Sequence, residues 1–460
     1  MFFISKKNNY FNYLVYILVL FLFVDSFPKE KKQLDKSLFN PPAWTKNAVI
    51  YEVNVRQFTP EGTFKAFEKH LPRLKKMGID ILWFMPIHPI GEQNRKGSLG
   101  SYYSIKDYKA INPEFGTEKD FKELVEKIHQ QGMYVMLDWV GNHTSWDNVW
   151  TKTNPEFFSK NEKGEFYPPV PDWSDVIDLN YDNKDLWNKM IDAMEYWVKE
   201  FNIDGFRCDY AVGVPLEFWI EARIKLQKIK PLFMLAEASE PYLHKAFDAT
   251  YNWQLKDIMN DIAKGKLNAQ ALINHIKEEK KNYPEKGYRL NFTTNHDENS
   301  WSGTEFERLG NAVDVFNTFV FVTKGIPLIY SGQEAGLNKR LRFFDKDTIY
   351  WNDLKYEKFF SDLIKLKKEN KALWNGKYGG EIKLIKNDNE DNVLTFCRSK
   401  KENNVIAVFN FSSQNQNALV NFGELIGTYK NYFTNEVMKI KSNQEFNLQP
   451  WEYIILIKVK

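Results

Sequence analysis

Ionisable residues of this chain recur where short apolar runs end. Asp138 stands near the end of GMYVMLDWV and is followed by Asn142-His143. Arg207 and Asp209 close IDGFRCD, Glu237 follows PLFMLA, and His296-Asp297 follow YRLNFTT. One acid by itself is ordinarily a solvated loop residue or a helix cap, but acids, two histidines and an arginine at successive strand ends do not reduce to that. Arg207 lies two residues before Asp209, so on a strand both side chains point to one face. A fixed guanidinium there favours the ionised form of the Asp209 carboxyl.

The elements that must hold these residues follow from the apolar pattern. Strands are expected at Ala48–Val53, Ile79–Met85, Gly132–Val140, Ile203–Asp209, Pro231–Ala236, Phe247–Tyr251, Tyr288–Thr294 and Ile326–Tyr330. Helical patterns lie between them, among them Phe64–Met77, Glu118–Gln131 and Lys184–Phe201. Continuous rather than alternating apolar strands are buried on both faces, as in a parallel sheet covered by helices. Eight such units point to a closed (β/α)₈ barrel, whose active site forms at the carboxyl ends of the strands. Past Trp374 the pattern changes to short alternating runs (Glu381–Ile385, Val393–Cys397, Val405–Phe411, Tyr453–Val459), expected to form an antiparallel β-sandwich. The expected organisation is an N-terminal targeting segment over 1–26, a linker over 27–43, a barrel over 44–373 with a short inserted excursion at 144–180, and the sandwich over 374–460.

Composition narrows the setting. The 460 residues suit one large barrel and one appended unit. With 63 basic and 60 acidic side chains the formal net charge is +3, which gives no electrostatic footprint for nucleic acid. Aromatic residues make up 16 %, enough for a large core and for platforms against sugar rings, which composition does not separate. Two cysteines, Cys208 and Cys397, exclude a disulfide framework. Lys6 and Lys7 precede the apolar run Tyr13–Val24, the pattern of a secretory signal peptide, too short for a comfortable membrane span. Export is therefore expected, to the periplasm or the medium, with an uncleaved membrane anchor as the alternative.

Taken in order, the segments DWVGNH, GFRCDYA, LAEAS and TNHDEN resemble the four signature regions of the α-amylase family, glycoside hydrolase family 13. Asp178-Leu179-Asn180 resembles the family's auxiliary segment, and YSIKDY the stretch after the second strand. The resemblance implies a retaining hydrolase of α-1,4-linked glucans such as starch and maltodextrins, working through a covalent glycosyl-enzyme intermediate. It implies Asp209 as nucleophile, Glu237 as general acid/base and Asp297 as the third acid, which binds sugar hydroxyls. Glu237 must then be protonated at rest, which calls for a raised pKa. His143 and His296 are the implied hydroxyl-binding histidines and Tyr103 the stacking residue. Arg207 and Asp138 complete the substrate-binding set, Asp138 orienting Arg207 or the strand ends, or serving only as a buried structural acid.

Where calcium-dependent members carry a Lys-His pair after the nucleophile, this chain has Tyr210-Ala211-Val212-Gly213. No cofactor is required by the expected chemistry. A structural calcium is not expected, although Asn142 remains a candidate ligand and Asp172 or Asp175 could add oxygens. The expected partner is an α-glucan, with membrane contact only through an uncleaved N-terminus. Alternatives within the family are α-1,6-glucosidases and glucanotransferases. A glycan-binding relative without activity would be expected to lack one of the three acids, and a metal-dependent barrel enzyme would want clustered ligands.

Overall fold

The computed structural model describes residues 39–459; the apolar run Tyr13–Val24 and most of the expected linker lie outside them. Among the described residues no helix is long and apolar enough to cross a membrane. The chain begins with strands β1 (Ile50–Val53), β2 (Ile81–Phe84), β3 (Tyr134–Val140), β4 (His143–Ser145), β5 (Val176–Asp178) and β6 (Gly205–Asp209). It continues with β7 (Phe233–Ala236), β8 (Ala249–Tyr251), β9 (Tyr288–Asn291) and β10 (Ile326–Tyr330). All of these but β4 and β5 close into a parallel barrel of order β1-β10-β9-β8-β7-β6-β3-β2. The eight expected strands are its eight staves, most of them a few residues shorter than the apolar runs.

Strand periodicity explains where the ionisable residues go. Ile50, Ile81, Trp83, Met136, Phe233, Leu235, Ala249, Tyr251, Leu290 and Leu328 share one buried cluster, the barrel interior. Because alternate residues of a strand face the same side, the next inward positions are Glu52 after Ile50, Asp138 after Met136 and Glu237 after Leu235. On β6 the inward series is Gly205, Arg207, Asp209. Side chains fill the barrel in layers and the uppermost layer is polar, which is the active-site end. Gly205 is required by space: a Cβ there would lie 2.2 Å from the carbonyl oxygen of Phe233 on the adjacent strand.

The helices bury their apolar stripes against the outer faces of the strands, in the largest cluster of the molecule. The helix Glu118–Gln130 starts with a capping box between Thr117 and Asp120. The single helix expected over Phe64–Met77 is instead two, Phe64–Glu68 and Leu71–Met77. Pro72 has no N–H to continue the first helix, and is suited to the first turn of the second.

The excursion holds β4 and β5, paired antiparallel with His143 opposite Asp178. Beyond the barrel, strands β11 (Ile382–Leu384), β12 (Val393–Lys400), β13 (Asn403–Asn410), β14 (Gln416–Asn421), β15 (Gly427–Asn431), β16 (Val437–Ile440), β17 (Asn443–Leu448) and β18 (Tyr453–Lys458) follow. Six make the sheet β11-β12-β13-β18-β15-β16, and β14 pairs with β17. This all-β unit packs Phe396, Phe409 and Phe411 against Phe316 and Phe319 of the helix Val313–Val322. Arg398 is fully buried at the junction and donates to the carbonyl oxygens of Val322, Thr323 and Trp374.

Candidate active site

A cleft of about 720 Å³ opens at the carboxyl ends of the strands, with Asp209, Glu237, Asp297, His143, His296 and Tyr103 in its wall. Sequence positions as far apart as Tyr103 and Asp297 thus share one cavity.

Arg207 is the hub. Its side chain is fully buried, and its Nη1 donates to Asp209 Oδ1 at 2.8 Å and to Asp138 Oδ1 at 2.9 Å. Nη2 lies 2.7 Å from Glu237 Oε1, an ion pair without hydrogen-bond geometry. Nε donates to the Tyr251 hydroxyl at 3.2 Å, and the rings of Trp83, Tyr251 and Tyr103 lie within 5.1, 5.6 and 5.7 Å of the guanidinium carbon. A buried charge costs several kcal/mol unless paired and hydrogen-bonded; here three carboxyls and an aromatic cage compensate it.

Asp138 sits beside Arg207 in the β3–β6 register. It also accepts from Trp83 Nε1 and the Tyr103 hydroxyl, both at 3.1 Å. Of the two roles expected for Asp138, the geometry is that of orienting Arg207.

The two principal acids feel opposing forces. Burial raises the Asp209 carboxyl, and the charge and hydrogen bonds of Arg207 pull it back. Burial also raises Glu237; Arg207 opposes this, while the negative charge of Asp209 adds to it. Glu237 Oε2 accepts from the backbone N–H of Tyr210 at 2.8 Å. Tyr210 directly follows Asp209 and adopts a left-handed backbone, φ 38°, a conformation that costs a non-glycine residue free energy. That turn aims the amide at Glu237, so the segment after one acid positions the other.

The histidines divide by charge. His296 meets Glu52 through Nδ1, and through Nε2 the Tyr103 hydroxyl at 2.8 Å and Asp297 Oδ2 at 3.1 Å. Burial alone would lower its pKa, but Asp297 and Glu52 raise it to about 9. His143 is lowered to about 4 by burial and is neutral at neutral pH. Asp297 is itself raised by burial, against the pull of His296, and its side chain is 34 % exposed to the cleft.

The sequence reading missed several groups. Glu52 sits unannounced in the apolar run IYEV. Trp301, 54 % exposed, stands on the cleft wall four residues beyond Asp297, its ring centroid 5.2 Å from that of Phe343. Its only signal was a large aromatic in a polar stretch. The cleft is also lined by Trp173, 5.3 Å from the His143 ring, and Lys96.

Lys96 holds the segment that carries two of the oxygens considered for calcium. Asp175 pairs with Lys96 Nζ at 3.2 Å, and the same ammonium donates to the Asp172 carbonyl oxygen at 2.6 Å. The Asn142 carboxamide nitrogen lies 3.3 Å from His143 Nδ1. Among the described residues no group of three or more His, Cys, Asp or Glu is placed to hold a metal ion.

Comparison with known proteins gives a consistent picture. The family profile described as "Alpha amylase, catalytic domain" matches residues 21–175 and 158–372, and "Alpha amylase, C-terminal all-beta domain" matches 384–457. Alpha-amylase 2 of Dictyoglomus thermophilum is 27% identical over 443 residues, covering 87% of this chain and 74% of that protein. The maltogenic alpha-amylase of Bacillus acidopullulyticus is 27% identical over 481 residues, covering 91% and 78%. Among solved structures, a noncanonic maltogenic alpha-amylase from Thermotoga neapolitana superposes with a TM-score of 0.84 at 33% identity, over 91% of this chain and 100% of that one.

Proposed function

The chain belongs to the α-amylase family of glycoside hydrolases, and from that premise we propose that it cleaves α-1,4-linked glucans with retention of configuration, Asp209 acting as nucleophile and Glu237 as general acid/base. The observation that carries this reading is the shared guanidinium of Arg207, in contact with both carboxyls at 2.8 and 2.7 Å. Two acids held on one cation are close together, as the double-displacement route requires; it places them about 5–5.5 Å apart, with no room for an intervening water.

In the first step an Asp209 oxygen bonds to the anomeric carbon as the glycosidic bond breaks, and the Glu237 proton passes to the departing oxygen. In the second, Glu237, now a carboxylate, takes a proton from water; the water oxygen bonds to the anomeric carbon and Asp209 leaves. Arg207 favours the ionised Asp209 that opens the cycle, and the Asp209 charge favours the protonated Glu237. Cationic His296 and Asp297 offer a donor and an acceptor to neighbouring sugar hydroxyls, and neutral His143 can do either. Tyr103 and Trp301 supply aromatic surface to the C–H faces of the rings.

This reading needs no resident metal. The support is Lys96, whose ammonium ties the Asp172–Asp175 segment to the loop after β2.

Proton NMR of the first-formed product tests the mechanism. The α-anomer is expected, and an initial β-anomer overturns it. Product analysis over time on soluble starch, pullulan and maltotriose tests the linkage.

A further inference from the structure

A second cavity, of about 360 Å³, opens on the flank of the barrel. It lies between the helix Ala269–Asn282, the loop before β9 and the first strand of the C-terminal unit. The volume is at the lower end of that of small-molecule sites, and the lining has their character, an apolar wall with a few convergent polar groups. Leu255, Ile276, Pro284 and Ile382 form the apolar side.

His275 supplies the observation that asks for a ligand. It is 5 % exposed, yet neither ring nitrogen has a hydrogen-bond partner; the nearest carboxylate, Glu279, is 3.8 Å from Nε2. Buried polar groups left unpaired are costly, and each calls for an explanation. Burial and the nearby Arg289 lower this imidazole to about 4, so at neutral pH it offers one N–H donor and one lone pair. A hydroxyl group is the complementary partner, since it accepts and donates.

Two ion pairs of the cavity lining are already made. Arg289 Nε donates to both oxygens of Glu279 at 3.1 Å, and Lys324 pairs with Glu381. An ionic ligand drawn to these four groups would have to break one of the pairs, whereas a neutral one need not. Apolar wall, neutral donor–acceptor pair and size together suit a small neutral sugar.

The cavity is also wired to the catalytic cleft. Tyr283, whose ring packs 3.8 Å from the Arg289 guanidinium carbon, donates its hydroxyl hydrogen to the Ser239 carbonyl oxygen. Arg289 Nη1 reaches the same oxygen at 3.4 Å. Ser239 lies two residues beyond Glu237 and lines the catalytic cleft.

We propose that this flank cavity is a second binding site for a neutral sugar of one or two rings, held through His275, and that its occupancy is felt at Glu237 through Tyr283, Arg289 and Ser239. The binding half stands apart from the catalytic mechanism given above and is tested separately from it.

Maltose is the probe. Titrated calorimetrically into the full-length Asp209→Asn protein, it is expected to show two classes of site, and one class in Asp209→Asn/His275→Phe, where the ring neither donates nor accepts a hydrogen bond. Thermal unfolding checks that the double variant is folded. Ile276→Trp blocks the cavity without touching His275 and is expected to give the same loss. A single class in every variant, or diffraction from maltose-soaked crystals showing only water at His275, overturns the site. For the coupling, maltose is expected to change both kcat and KM of the otherwise unmodified enzyme on an aryl α-glucoside, and KM alone in His275→Phe. Purely competitive behaviour in both overturns the link to Glu237.

Discussion

Arg207 reaches Glu237 at 2.7 Å with Nη2 while its Nη1 is spent on Asp209 and Asp138. One cation therefore touches both acids, holding Asp209 charged and positioning Glu237, whose proton is favoured by burial and the Asp209 charge and not by Arg207. It can do both only because it has two nitrogens in a rigid fork.

Arg207→Lys is expected to lower kcat about a hundredfold or more, since a single ammonium does not reproduce the fork. The melting temperature should fall as well, because Asp138 loses a buried partner. Steady-state kinetics on maltotriose and circular dichroism melts check both. Near-native turnover would remove Arg207 from its place at the centre of the site.

Asp209→Asn and Glu237→Gln should each abolish most turnover on natural oligosaccharides while leaving the fold intact. They should differ on aryl α-glucosides with acidic leaving groups. There Glu237→Gln still forms the intermediate, because the departing phenolate needs no proton, and the intermediate accumulates as a burst. Asp209→Asn should show none. Stopped-flow absorbance separates the two, and equal behaviour would contradict the assigned roles.

Activity should have an acid limb above the ordinary aspartate range and an alkaline limb above the ordinary glutamate range, because Asp209 and Glu237 are both raised. Stability has its own pH window. His296 is raised from 6.5 to about 9, so its contribution is complete below pH 6.5 and lost as pH rises through about 9. His143, lowered from 6.5 to about 4, stabilises above pH 6.5, and its contribution is lost as pH falls toward 4. Melting temperature should peak near neutrality, and Glu52→Gln should flatten the alkaline side. An unchanged alkaline slope in that variant would separate Glu52 from the His296 titration.

Excess chelator and millimolar calcium should give nearly the same melting temperature and activity, since a tightly bound ion would raise stability by mass action. Lys96→Met should raise KM and cost at most about 1 kcal/mol, as Lys96 is partly solvated. A large upward shift with calcium would restore a metal to the Asn142 region.

Trp301→Ala should raise KM for maltodextrins severalfold with kcat little changed, the pattern of lost uniform binding. Loss confined to kcat would place Trp301 at the reacting centre instead.

The barrel was legible because each of its strands is a short apolar run, and the site because a period of two carries the inward series Met136, Asp138 or Leu235, Glu237 up to the polar layer. What escaped had no such signal. Strands β14 and β17 bury only alternate positions, so QNALVN and NQEFNL read as polar connections. Glu52 was hidden because its partner, His296, is 244 residues away. The break in Phe64–Met77 was overridden by a continuous helical pattern, although Pro72 marked it.

The burial of Arg398 between the β-unit and the barrel has a consequence for how the molecule comes apart. If the β-sheet let go first, the carbonyl oxygens of Val322 and Thr323 would lose their donor, and Phe316 and Phe319 would meet water. The helix that covers the last stave would then be the weakest part of the barrel. The two units should therefore melt as a single cooperative transition, and a chain cut near Trp374 should yield not a free-standing barrel but one with an open seam.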